Sequence, residues 1–243
     1  MTFIAHTEKG KKMIKIEHTE VHGWEAAIRG MRNPMNSWDK CDTSFYSYPK
    51  EGVQHKIGEN DLALMKSLAK GGSVHAKYRR MINVTCDITA PLYWFKEYDT
   101  YKVGTVANSC STMHKIHAKE FTLDDFSCEH LIDDFDVDVD ISGTDHTSTG
   151  SIEVIWMTIE VMNHYRKQFL ETKDKKYWWQ MIQLLPSSYN QKRTVQLNYE
   201  VLTAMYHDRK NHKLDEWRNF CKWIESLPYS EIITGEREED EEG

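Results

Sequence analysis

The chain has 243 residues, 40% of them hydrophobic and 12% aromatic, with a formal charge of −7. That is enough apolar chain to fill a core, which excludes disorder, while the lack of a basic arm or stripe argues against a nucleic-acid polymer as partner. Five cysteines without a Cys-x-x-Cys pair give neither a disulfide framework nor a structural zinc site, and no apolar run is long enough to span a membrane.

Residues 1–12 carry no apolar run of signal-peptide length, and a cytoplasmic protein is expected; Met13 followed by Ile14-Lys15-Ile16 reads as the start of structure, which makes 1–12 an N-terminal extension. Residues 13–21 alternate as a half-buried strand, and 24–33 form a short helix that stops before Pro34. Residues 36–57, polar and aromatic around Pro49 and Gly52, read as an irregular loop. Asn60 is the expected N-cap of a helix over 61–70, closed by Gly71-Gly72. The β-branched run 81–88 predicts a buried strand, and Pro91 the first turn of a helix to about Tyr101. The small, polar segment 102–114 reads as a loop on which a ligand sits, and 133–140 as an acidic connector.

Ile152, Ile155, Ile159, Met162, Tyr165 and Phe169 recur at helical spacing over 151–171. Further helices are expected over 175–185, ending at Pro186, and over 198–208 with a continuation through 213–226. The last nine residues, Gly235 to Gly243, hold six acids and one arginine. The expectation is therefore one α/β (α+β) domain over 13–230, a central sheet flanked by long helices, with a disordered acidic tail at 231–243.

His114 and His117 stand three apart, but no third ligand follows at a defined spacing, so they read as surface histidines and no metal is expected. The carboxylates at 133, 134, 136, 138 and 140 lack the glycine and closing glutamate of a calcium loop. Cys110 would need a nearby base or positive field to act as a nucleophile, and reads as a small residue packed in a tight loop. Gly71-Gly72 and Gly104 make no phosphate-binding signature. Arg209, with His212 soon after, is either a solvated cation at a helix end or, if it faces a cleft, a donor to an anion or a pyrimidine carbonyl.

Leu185-Pro186, Asn198 opening a helix, Arg209 near its end, then His212 and Trp217 together resemble the C-terminal part of the flavin-dependent thymidylate synthases. Upstream, His75 after a glycine-ended helix, a buried strand and Ala90-Pro91 are similar to the same family, as is Ser37-Trp38-Asp39 after the first helix. The resemblance covers most of 13–230; residues 115–150 match nothing in it. The family's signature, Arg-His-Arg, two residues, Ser, one residue, Asn, two residues, Ser, one residue, Arg-Tyr, is altered between Thr100 and His114. Lys102 stands for the last arginine of the triplet, Thr105, Asn108 and Ser111 keep the hydroxyl-amide-hydroxyl order with one residue inserted, and the first Arg-His and the later Arg are absent.

The resemblance implies a homotetramer with shared active sites that methylates dUMP to dTMP, using methylenetetrahydrofolate, FAD and, ultimately, NADPH. It makes Arg209 the catalytic residue that holds and polarises the pyrimidine. It assigns His75, Ser37, Tyr101, Lys102, Thr105, Asn108 and Asn198 to the flavin, with Tyr101 stacking on a flat ring. Glu97, Thr100, Asn108, Ser111 and Arg209 are assigned to the nucleotide. The altered signature leaves two alternatives open: the same scaffold acting on another pyrimidine nucleotide or making another one-carbon product, and a non-catalytic nucleotide-binding homologue.

Overall fold

The structure, a computed structural model, describes residues 14–48, 52–135, 137–140 and 146–235; the expected extension at 1–12 and most of the acidic tail lie outside these. In chain order the elements are β1 (Lys15–His22), α1 (Trp24–Arg32), β2 (Ser44–Tyr48), β3 (Gly52–Lys56), α2 (Glu59–Lys70), β4 (Asn83–Pro91), α3 (Leu92–Tyr98), β5 (Val106–Ser109) and α4 (Thr112–Lys115). There follow β6 (Val137–Asp140), β7 (His146–Thr149), α5 (Ser151–Thr172), α6 (Lys175–Leu184), β8 (Asn190–Asn198), α7 (Tyr199–Arg209), α8 (Asp215–Glu225) and α9 (Glu231–Thr234). The fold is mixed α/β with a central antiparallel sheet of order β1-β4-β8-β5.

The described residues form two compact units. One contains Ile16–Ile88, Tyr98–Asn108 and the chain from Thr194 onward; the other contains Thr89–Glu97 and Ser109–Arg193.

In the first unit, β4 buries Val84, Cys86 and Ile88 on alternate positions, the period of two that a strand imposes. On its other face Asp87 accepts from the hydroxyl of Thr194 on β8 at 2.6 Å. Helix α7 packs on α8 and α9, burying Leu202, Met205, Trp217, Phe220 and Ile232. Gly23, the N-cap of α1, has φ +97°, and a Cβ there would overlap the Met81 carbonyl. Gly23→Ala is therefore expected to destabilise the protein by about 2–4 kcal/mol, read as a fall in the urea midpoint at unchanged slope.

The other unit is organised by α5 and α6, which pack together. Ile155, Ile159 and Met162 of α5 meet Met181 of α6, Ile116, Phe121 and Phe126, with Tyr165 and Phe169 at the edge of the cluster. Asn163 closes this core against the chain before Phe126, exchanging two hydrogen bonds with the Phe121 backbone at 2.8 and 2.9 Å.

Several expectations are corrected. Within 36–57, expected to be irregular throughout, β2 and β3 pair antiparallel with Ser44 opposite Lys56. Asn60 does not cap α2; Gly58 is the N-cap, and the Asp42 carboxylate accepts from the Asn60 and Asp61 amides at 2.8 and 3.0 Å. Pro91 ends β4 instead of opening α3. The segment 102–114 contains β5, an edge strand, and α4. Within the acidic connector at 133–140, Val137–Asp140 form a strand, β6, paired antiparallel with β7. The chain stays ordered past residue 230, because α9 buries Ile232 and Ile233.

Among the described residues no helix is long and apolar enough to cross a membrane, and no cluster of three or more His, Cys, Asp or Glu could hold a metal ion.

Candidate functional site

Asn198 ends β8 and starts α7, where its side-chain oxygen accepts from the Val201 amide at 3.0 Å. Eleven residues of helix then carry the chain to Arg209, the last residue of α7. Arg209 is half-buried, and its guanidinium lies over the Trp217 ring at 5.0 Å and the Tyr101 ring at 5.7 Å. Its Nε donates to the Tyr101 hydroxyl at 3.0 Å, and that hydroxyl donates in turn to Asp208 at 3.0 Å. The arginine is thus held in one orientation against two rings.

Trp217, fully buried on α8, is the floor of this cluster. Tyr101 meets it edge-on at 6.1 Å and His212 at 6.4 Å. His212 is fixed in the α7–α8 turn, its Nδ1 accepting from the Leu214 amide at 3.2 Å, which leaves the proton on Nε2 in the neutral ring. Burial pushes the Tyr101 phenol above its ordinary range; the Arg209 guanidinium acts against that rise and Asp208 adds to it. The phenol therefore stays protonated at neutral pH, and its proton is the one Asp208 receives.

The altered signature stretch leads out of Tyr101. The Thr105 hydroxyl donates to the Tyr101 carbonyl at 2.7 Å, turning the chain at Gly104, where φ is +79°. A Cβ at 104 would come within 2.8 Å of Asn198 Nδ2, so the absence of a side chain lets the turn lie against the start of α7. Lys102 and Asn108 are exposed, Asn108 on the edge strand β5.

Other expected residues have local partners. Ser37 follows α1, and its carbonyl accepts from Arg32 Nη1 at 3.1 Å. His75 is exposed in the turn after α2, beside Gly71. Thr100 is exposed in the turn after α3. Ser111 caps α4, its oxygen accepting from the His114 amide at 3.0 Å. Glu97 and Ser111 belong to the unit of α5 and α6, the remaining expected residues to the other. Cys110 is not packed in a tight loop: its side chain is exposed, while its backbone is pinned by Lys192 and Gln191 at 2.9 and 2.8 Å.

Two features escaped the sequence. Asp208, next to Arg209, is the acceptor that orients Tyr101, and adjacency on a helix gave no signal of that. Arg32 and Asp61 form a buried ion pair at 2.7 Å, 4% and 0% exposed. The other Asp61 oxygen accepts from the Asp42 and Thr43 amides, the Thr43 hydroxyl and the Cys41 thiol, at 2.5–3.3 Å. Burial would raise this carboxyl's pKa, but the bonds from Thr43, Arg32 and Cys41 and the Arg32 charge outweigh it, and the net shift is downward.

Among solved structures, thymidylate synthase X (ThyX) from Helicobacter pylori with FAD and dUMP superposes with a TM-score of 0.60 at 14% identity, over 92% of this chain and 97% of that one. The fold is that of the flavin-dependent thymidylate synthases. A UMP/dUMP methylase, PolB from Streptomyces cacaoi, bound with 5-Br dUMP, has a TM-score of 0.59 at 14% identity, covering 91% and 94% of the two chains. The same methylase bound with 5-Br UMP gives 0.58 at 13% identity, over 92% and 95%. No family model and no curated protein matches the sequence.

Proposed function

We propose that this chain is a divergent flavin-dependent thymidylate synthase that transfers a one-carbon unit to C5 of dUMP. The observation that carries the reading is Arg209, seated on Trp217 and bonded to Tyr101, in the fold of enzymes whose structures hold dUMP. A guanidinium already fixed in orientation loses little freedom on meeting a ligand, and a planar cation can stabilise negative charge developing on a uracil oxygen. Tyr101 and Asp208 act as the positioning pair.

In this reading an anionic, flat cofactor would be met by exposed polar and cationic groups. Lys102 is an exposed cation, the strand β5 beyond it is exposed at a sheet edge with Asn108, and His75 offers an exposed ring. Ser37, Thr105 and Asn198 supply further polar atoms in the same reading. Bound FAD would supply the hydride, with methylenetetrahydrofolate giving the carbon and NADPH the reducing equivalents. A homotetramer with shared sites and a cytoplasmic location belong to this proposal. The likeness to a UMP/dUMP methylase supports a second reading, the same chemistry on another pyrimidine nucleotide.

The ultraviolet–visible spectrum of the purified protein, with and without added FAD and then titrated with dUMP, tests the proposal. A flavin spectrum that shifts with dUMP is the expected result. A protein that ignores both ligands would leave only the shared fold. Turnover of dUMP, UMP and dCMP compared by mass spectrometry separates the two readings.

A further inference from the structure

The unit organised by α5 and α6 carries a cleft of about 470 Å³ lined by His114, His117, Phe169, Lys173, Lys175 and Trp178, within the size range of small-ligand sites. Helix α5 ends at Thr172, Lys173 takes a left-handed conformation with φ 58°, and Asp174 caps α6, accepting from the Lys176 amide at 2.9 Å. This two-residue connection brings two lysines and two aromatic rings to one place. The Lys173 ammonium lies 5.9 Å from the centre of the Phe169 ring, and that of Lys175 lies 5.9 Å from Trp178 and 5.6 Å from Trp179.

The walls are fixed. The Trp178 indole donates to the Met113 carbonyl at 3.0 Å, Arg166 donates to the His117 carbonyl at 3.0 Å, and the His117 ring meets Phe169 edge-on at 4.9 Å. His117 is therefore not an ordinary surface histidine: its Nδ1 is shielded from water and has no hydrogen-bond partner among the described residues. No carboxylate lines the cleft. Asp174 is committed to Lys176, and neither Lys173 nor Lys175 has an acidic partner among the described residues. Burial holds the His117 imidazole below its ordinary pKa, and the charges of Lys173, Lys115 and Arg166 depress it further. The lining therefore carries positive charge with no carboxylate beside it, which favours an anion.

We propose that this cleft binds a flat aromatic anion, a ring bearing a phosphate or a carboxylate. Phe169 and Trp178 would take the ring and Lys173 and Lys175 the anion, with the His117 ring at the wall. The inference does not depend on the nucleotide site.

The test uses the full chain. Phenyl phosphate, benzoate, inorganic phosphate and phenol are titrated by calorimetry and followed by the imidazole resonances, with His117→Gln providing the assignment. Phenyl phosphate or benzoate is expected to bind at least about tenfold tighter than either inorganic phosphate or phenol, shifting the His117 signal, and the tighter of the two names the anion. Lys173→Ala/Lys175→Ala, two exposed positions, should weaken that binding about tenfold with an unchanged melting curve, whereas Arg209→Ala should leave it intact. Absence of saturable binding overturns the proposal, as does equal affinity in the double lysine variant. Loss of binding in Arg209→Ala instead would move the anion to the nucleotide site and overturn it too.

Discussion

Replacing Arg209 with alanine is expected to lower kcat for dUMP by about 10²–10³-fold, the usual loss when one preorganised donor to developing charge is removed. Stability should barely change. The side chain is half-buried, and its cation–π contacts with Trp217 and Tyr101 contribute about 0.5–1 kcal/mol. At about 2–4 °C per kcal/mol for a chain of this size, the melting temperature should fall by no more than a few degrees. Arg209→Lys keeps the charge but loses the planar fork, so its kcat should lie between the two. Tyr101→Phe removes the acceptor that orients Nε and should reproduce part of the arginine's loss while FAD binding persists. Unchanged dUMP turnover in Arg209→Ala, with a normal melting curve, would remove the arginine from the mechanism.

The second large effect is structural. Asp61→Asn should destabilise the protein by about 3–5 kcal/mol, because it leaves Arg32 charged, buried and unpaired. That corresponds to a melting temperature lower by roughly 6–20 °C. Replacing both partners by apolar residues would not restore stability here, although it does for simpler buried pairs. The second Asp61 oxygen is the acceptor for two amides and a hydroxyl, which would lose their partner. The pH dependence has a definite sign. The folded-state pKa of Asp61 is depressed from 3.8, so its contribution is complete above that value and is lost as pH falls through the folded pKa. Wild type should therefore lose stability on acidification below about pH 4 by more than the Asn variant does. Chemical denaturation at neutral and acid pH measures this difference; parallel losses in the two proteins would contradict it.

What the sequence revealed follows the range of the interactions involved. Helix α5 was legible because its apolar period is local, and so was the cap at Asn198, whose partner Val201 is three residues away. The hairpin β2–β3 was hidden by an aromatic, polar run around Pro49 and Gly52 with no clean alternation. Strand β5 was hidden because Val106-Ala107-Asn108-Ser109 has neither bulk nor period, and its place is set by β8 from far along the chain. The start of α2 was misread for a similar reason, since Asp42 reaches it from 18 residues upstream.

At the candidate site, Arg209, His212 and Trp217 stood out through a resemblance. Their arrangement with Tyr101, 108 residues earlier, had no counterpart in any spacing. The Arg32–Asp61 pair spans 29 residues and joins two helices, so neither side chain looked different from a solvated surface charge.

The division of the chain also bears on how the protein is made. The unit holding Arg209 draws on Ile16–Ile88, Tyr98–Asn108 and everything from Thr194 onward, so on the ribosome it cannot close until synthesis has reached its last helices. Meanwhile α1, α2 and β4 emerge with their apolar faces unmatched. Helices α5 and α6, adjacent in sequence and packed together, can dock as soon as they leave the exit tunnel. Vectorial synthesis thus inverts the order of the chain, with the middle able to settle before the beginning. Truncation near Arg193 would leave the amino-terminal third without the strand end and helices it packs with.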